Sequence, residues 1–221
     1  MSKYKFVVVA KDEDFKMKQE DFAAIEGCEV KFIANNKLGL GEVFNKELNG
    51  ADYVICMHAD VKLDIKGLID HIESVAGKYD VLGLCGCDKM SVGQRPLNWF
   101  TGSNPFPKNR WGCVTHGEVG NQTSFFSAEK PQTDHEVACI DGLCIILTKK
   151  AIDAGLKFDE QFKFSHYDTD ISFQCVFDKK LKLGTIVRKD LQHHSIGKSI
   201  LTPEFLTAEA KFREKWKTQL S

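Results

Sequence analysis

DYVICMHAD, residues 52–60, is a short apolar, partly β-branched run that ends abruptly in a histidine and an aspartate. Preceded by the Asn49-Gly50 turn signal, it reads as a buried strand with polar chemistry at its carboxyl end. Working outward, residues 41–48 (GEVFNKEL) read as a helix closed by Asn49-Gly50, and 29–34 (EVKFIA) as a strand followed by a turn from Asn35 to Gly39. Residues 4–10 form a buried first strand, and 16–25 a helix stopped at Gly27. On the other side, Ile65, Leu68, Ile69, Ile72 and Val75 fall at helical spacing, and 80–85 (DVLGLC) is a further strand. Strands alternating with helices predict βαβ units, hence an α/β domain with a mostly parallel mixed sheet flanked by helices.

The alternation breaks between about 90 and 135, a stretch rich in Gly, Asn, Ser, Thr and Pro that carries Trp99 and Trp111. A loop this long in a compact domain is usually functional or disordered, and its aromatics favour a partly ordered substrate lid. Residues 136–147 (EVACIDGLCIIL) then read as one strand and 149–154 as a short helix. The segment 158–170 reads as a loop leading to a helix over 171–177, with Asp168 or Asp170 as its cap. A strand over 183–187 follows, and a last helix starts at Thr202-Pro203 and lays Phe205, Phe212 and Trp216 along one side.

A chain of 221 residues with 28% charged and 43% hydrophobic residues suits one globular domain over 1–221. A net charge of −1 gives no global basic field, so general nucleic-acid or membrane-surface binding is not expected. The eight cysteines include no C-x-x-C pair, and Cys56, Cys85, Cys139 and Cys144 lie in apolar runs. They read as reduced, small hydrophobes in a reducing compartment. No run has the length of a signal peptide core or a membrane span, so a cytoplasmic protein is expected.

In open α/β sheets ligands bind beyond the carboxyl ends of the strands. Lys11-Asp12, Asn35-Asn36 and His58-Ala59-Asp60 all fall there. Asp60 is an oxygen ligand suited to a hard divalent cation. Asp141-Gly142 interrupts an apolar strand, where a charge is costly unless paired or solvated and where a glycine lets another group approach. HYDTD (166–170) adds two carboxylates, and His193-His194-Ser195 adds two imidazoles at one strand end.

The order of these segments resembles the GT-A glycosyltransferases, in particular the large inverting family 2 and its glycosyltransferase-like branch. HADV (58–61) resembles the D-x-D type metal motif, CIDGLCIIL (139–147) the central Asp-Gly strand, and FDEQF (158–162) with YDTDIS (167–172) the run before the catalytic helix. HHSIG (193–197) resembles H-x-S-x-G, FREKW (212–216) the terminal F-x-x-K-W, and the helix carrying Asn45 the one before the metal strand. Two departures stand out: His58 replaces the first Asp of D-x-D, and Tyr167 replaces the Glu before Asp168.

The resemblance implies a metal-dependent, inverting transfer of sugar from a nucleotide diphosphate sugar, with UDP-sugars favoured, to a carbohydrate or other hydroxyl acceptor. It implies Asp168 as general base, and Ala10, Asp12, Asn35, Asn36, Asn45, His58, Ala59 and Asp60 around the donor. It places Asp141, Gly142, Tyr167 and Trp111 toward the acceptor, and gives Mn²⁺ or Mg²⁺ to Asp60 with His193 or His194. Since successive strand residues face opposite ways, only one of those histidines should reach Asp60; the motif counts from either, with a slight preference for His193. The rival readings are a non-catalytic nucleotide- or sugar-binding protein on the same fold, and a nucleotidyltransferase. The latter expects a glycine-rich basic loop where this chain has the acidic KDEDFK (11–16).

Overall fold

The computed structural model describes residues 2–88, 110–117, 123–126, 133–195 and 202–220. In chain order it contains β1 (Ser2–Val9), β2 (Cys28–Ile33), α1 (Leu40–Asn45), β3 (Ala51–His58), β4 (Val61–Lys62), α2 (Ile65–Ser74), β5 (Val81–Gly83) and β6 (Cys85–Cys87). There follow β7 (Arg110–His116), β8 (Thr123–Phe126), β9 (His135–Glu136), β10 (Cys139–Ile140), β11 (Cys144–Thr148) and α3 (Lys149–Asp153). The chain continues through α4 (Tyr167–Phe173), β12 (Leu183–Thr185), β13 (Gln192–His193) and α5 (Pro203–Lys215).

The main sheet has the order β2-β1-β3-β11-β5-β12-β9. Its β2-β1-β3 half is parallel, β11 runs antiparallel to both β3 and β5, and all strands but β11 and β9 share one direction, so the sheet is mixed and mostly parallel, as the sequence predicts. A smaller sheet, β10-β6-β7-β13-β4, lies beyond the carboxyl end of β3. Alternate residues of the central strands feed two cores. Phe6, Val8, Ile55, Met57 and Ile146 meet Leu68, Ile69 and Ile72 of α2 on one face. Val7, Val54, Cys56, Ile145 and Leu147 meet Phe44, Phe173, Phe212 and Trp216 on the other. Burial on both faces is why these strands read as continuous apolar runs.

Four expectations are corrected. Residues 16–25 hold only one 3₁₀ turn, Gln19–Asp21. Their buried anchors, Met17 and Phe22, are five residues apart, a spacing that shares no helical face. The 136–147 run is broken into β9, β10 and β11, because Asp141-Gly142 turns the chain from the small sheet back to the large one. Part of 90–135 is regular, since β7 and β8 pair with each other; the rest of the proposed lid, with Trp99, lies outside the described residues, as does Gly197.

The fourth correction moves a helix start. Helix α4 begins at Tyr167, and its cap is His166, in the left-handed conformation at φ 66°. That ring packs against Phe212 at 5.3 Å, so tertiary packing overrides the local capping signal. Asp168 and Asp170 therefore lie inside the first turn, and neither is the cap.

Candidate functional site

The carboxyl ends of β1, β2 and β3 form one laced rim. Ala10 N–H donates to Ile33 O at 2.9 Å, Asn36 N–H to Ala10 O at 2.9 Å, and Ala59 N–H to Val9 O at 3.2 Å. The Asp12 carbonyl accepts from Asn35 N–H at 3.2 Å, and its side chain accepts from Asp14 N–H at 2.9 Å. Asn36 folds onto Leu38 through two side-chain bonds of 2.9 and 3.0 Å. Asn45, the last residue of α1, clamps Phe158 N–H and C=O, each at 2.9 Å, and so holds the FDEQF segment.

Beyond this rim, His58, Asp60 and His193 each present a potential ligand atom, and all three atoms lie within 4.8 Å of one another. The pairing of β13 with β4 sets His193 opposite Val61, which brings His193 Nε2 to 3.4 Å from Asp60 Oδ2. His194 donates its backbone N–H to the Asp60 carbonyl at 2.8 Å, and its side chain is not part of the cluster. Alternation along the strand thus separates the two histidines.

Burial lowers the His58 pKa, favouring the neutral imidazole. Burial pushes the Asp60 carboxyl up, but the His193 hydrogen bond and the charges of His193 and His58 outweigh it, leaving it below its ordinary value. Burial opposes a charge on His193 as well, yet Asp60 holds that pKa above its ordinary value. Asp60 Oδ1 is buried and has no hydrogen-bond partner among the described residues. An orphaned carboxylate oxygen beside two imidazoles is a donor set that fits a divalent cation. It suits a borderline ion such as Mn²⁺ better than Mg²⁺, which prefers an oxygen shell.

Asp168 stands next to this cluster through the Asp141-Gly142 turn. Its Oδ2 accepts from Gly142 N–H at 3.0 Å and its Oδ1 from Thr169 N–H at 2.7 Å. Burial, then the charge of Asp141, push its pKa up to about 7 despite those bonds. Asp141 Oδ1 accepts from Leu143 N–H at 2.9 Å, and its charge also reaches His58 and His193. Tyr167 is 2% exposed; its hydroxyl lies 2.7 Å from His58 Nε2 and 2.8 Å from Gly142 O. The close approach that Gly142 permits is therefore that of Tyr167, since a Cβ there would collide with its Oη. Trp111, on β7 of the smaller sheet, stacks on His135 of β9 in the main sheet at 3.7 Å, with its Nε1–H on Asp88 at 3.3 Å.

Two neighbours of the cluster were not legible in the sequence. His116 Nδ1 lies 3.2 Å from His193 Nδ1, brought there by the parallel β7–β13 pairing inside a stretch read as irregular. Phe164, 60% exposed, stacks over His58 at 6.1 Å and carries Lys11 Nζ 5.7 Å from its ring. Nothing in the spacing of FDEQFKF marks that ring as facing the rim.

The architecture is the GT-A fold. The structure of GalNAc-T7 with UDP, GalNAc and Mn²⁺ matches 99% of this chain and 49% of its own, at a TM-score of 0.53 and 10% identity. TarS 1–349 of S. aureus with UDP-GlcNAc matches over 89% of this chain and 60% of its own, at a TM-score of 0.48 and 14% identity. A197 from STIV matches over 86% and 83%, at a TM-score of 0.43 and 11% identity. The chain thus spans about half of GalNAc-T7 and three fifths of the TarS fragment. No family model and no curated protein matches the sequence. Among the described residues no helix is long and apolar enough to cross a membrane.

Proposed function

We propose that this chain is an inverting glycosyltransferase that moves a sugar from a nucleotide diphosphate sugar, UDP-linked in first preference, to an acceptor hydroxyl. The observation that carries the reading is the His58–Asp60–His193 cluster at the carboxyl end of β3 on a GT-A fold, with Asp168 beside it. GalNAc-T7 on the same fold was crystallised with UDP and Mn²⁺, which supports the donor and metal classes proposed here. His58, Asp60 and His193 would hold the cation, which when bound supplies positive charge against the diphosphate leaving group.

The remaining work belongs to the chain. Asp168 takes the proton of the acceptor hydroxyl, whose oxygen bonds to the anomeric carbon as the bond from that carbon to the diphosphate oxygen breaks. The nucleoside diphosphate leaves with that electron pair, and the anomeric configuration inverts. A base is most effective when its pKa lies near the working pH, and a carboxyl raised to about 7 meets that condition. The Gly142 and Thr169 N–H groups hold the carboxylate still, so positioning adds to the rate.

The test is a screen of UDP-, GDP- and dTDP-sugars with Mn²⁺ and a panel of hydroxyl acceptors, read as nucleoside diphosphate release. The expected outcome is Mn²⁺-dependent release with at least one donor and a product of inverted configuration. Nucleotide binding without release from any pair would favour the binding-protein reading. No nucleotide binding at all would overturn both.

A further inference from the structure

The two places where this sequence departs from the resembling motifs, His58 and Tyr167, are in direct contact across 109 residues of chain. Their contact has a definite sense. A tyrosine hydroxyl carries one proton, and the Gly142 carbonyl 2.8 Å away can only accept it. The Tyr167 oxygen must then be the acceptor at 2.7 Å from His58 Nε2, which makes that nitrogen the protonated one. With Nε2 carrying the proton in that bond, Nδ1 is the ring nitrogen whose lone pair a cation can take.

Resting on the metal site proposed above, we infer that Tyr167 is a positioning residue that fixes His58 as its Nε2–H tautomer and so makes its Nδ1 the nitrogen available to a divalent cation. The relay runs Gly142 C=O, Tyr167 O–H, His58 N–H, and its first member must be glycine because a Cβ would strike the Tyr167 oxygen. The His58 backbone N–H, bonded to Leu143 O at 3.0 Å, pins the same residue from the other side. His58 and Tyr167 thus act as a matched pair: each departure supplies what the other needs. Partners of this kind behind a ligand commonly change metal affinity about 10–100-fold when removed.

Nitrogen-15 NMR of the metal-free protein reads the tautomer with no substitution. The expected signal is His58 protonated at Nε2, and protonation at Nδ1 would overturn the relay. Mn²⁺ affinity, measured by electron paramagnetic resonance, is the second readout. Tyr167→Phe keeps the ring and should weaken Mn²⁺ about 10–100-fold. In a His58→Ala background the same substitution should change nothing further. An unchanged affinity in Tyr167→Phe, or an equal loss in both backgrounds, would make Tyr167 a packing residue only. Failure of the wild-type protein to bind Mn²⁺ would remove the metal reading instead, and the tautomer measurement would still decide the relay.

Discussion

Asp168 is the residue whose environment does most to define its chemistry. Two backbone N–H groups favour its charged form, yet burial and the Asp141 charge prevail and hold it near 7. Its folded pKa is thus raised above the unfolded value of about 3.9. The native state binds more protons than the unfolded chain between about pH 4 and 7, so this group lowers stability progressively as pH rises through that window. In the metal-free protein, Asp168→Asn should therefore be more stable than wild type by about 1–3 kcal/mol at pH 8, with the gain fading toward pH 4. Denaturant melts at the two pH values check this. A constant difference would mean that Asp168 titrates normally. In the active protein, kcat/KM should fall about tenfold per pH unit below 7. Asp141→Asn should move that acid limb to lower pH, because it removes the second cause of the shift.

At the scale of elements, α4 and α5 are joined through one buried carboxylate. Asp170 is fully buried and accepts from Trp216 Nε1–H at 2.7 Å, Gln174 Nε2–H at 2.7 Å and Lys215 Nζ at 2.8 Å. Lys215 in turn reaches Asp159 at 2.8 Å, so the F-x-x-K-W run locks the FDEQF segment and α4 together. Breaking a buried pair by removing one partner costs about 3–5 kcal/mol. Asp170→Asn should approach that loss in denaturant melts while nucleotide affinity at moderate temperature stays near wild type. A loss below about 0.5 kcal/mol would show that α5 is held by Phe212 and Trp216 packing alone.

This arrangement shows what was legible and what was not. The two carboxylates of YDTD could be read as having different roles, and they do occupy different surroundings. The cap could not be read, because a histidine in left-handed backbone takes it by packing on Phe212 from a helix some 40 residues on. The central strands were legible since both faces are buried. The small sheet was not, because its strands are two to seven residues long and pair only through distant register. For that reason the sequence pointed to Asp60 and a histidine of the 193–194 pair, but not to His116. The clamp of Asn45 on Phe158 was not legible either, because an asparagine that holds a backbone looks the same in sequence as one that meets a ligand.

For the molecule as a whole, the two cores lie on either face of the main sheet, and the cluster sits at the edge between the large and small sheets. A cation there should join β3, β4 and β13 and stabilise the fold by mass action. At about 100 times its dissociation constant, Mn²⁺ should add about 2.7 kcal/mol. In a domain of this size that is a rise in Tm of about 5–10 °C. Asp60→Ala should abolish the rise, and Mg²⁺ should give a smaller one than Mn²⁺. A melting curve that ignores Mn²⁺ would separate the fold from the metal chemistry. The most direct measurement of the central claim is the rate of sugar transfer by wild type and Asp168→Asn at saturating Mn²⁺ and donor, with nucleotide affinity measured alongside. The expected result is transfer by the wild type, a loss of at least about 100-fold in the variant, and unchanged nucleotide affinity; transfer by Asp168→Asn at the wild-type rate would contradict it.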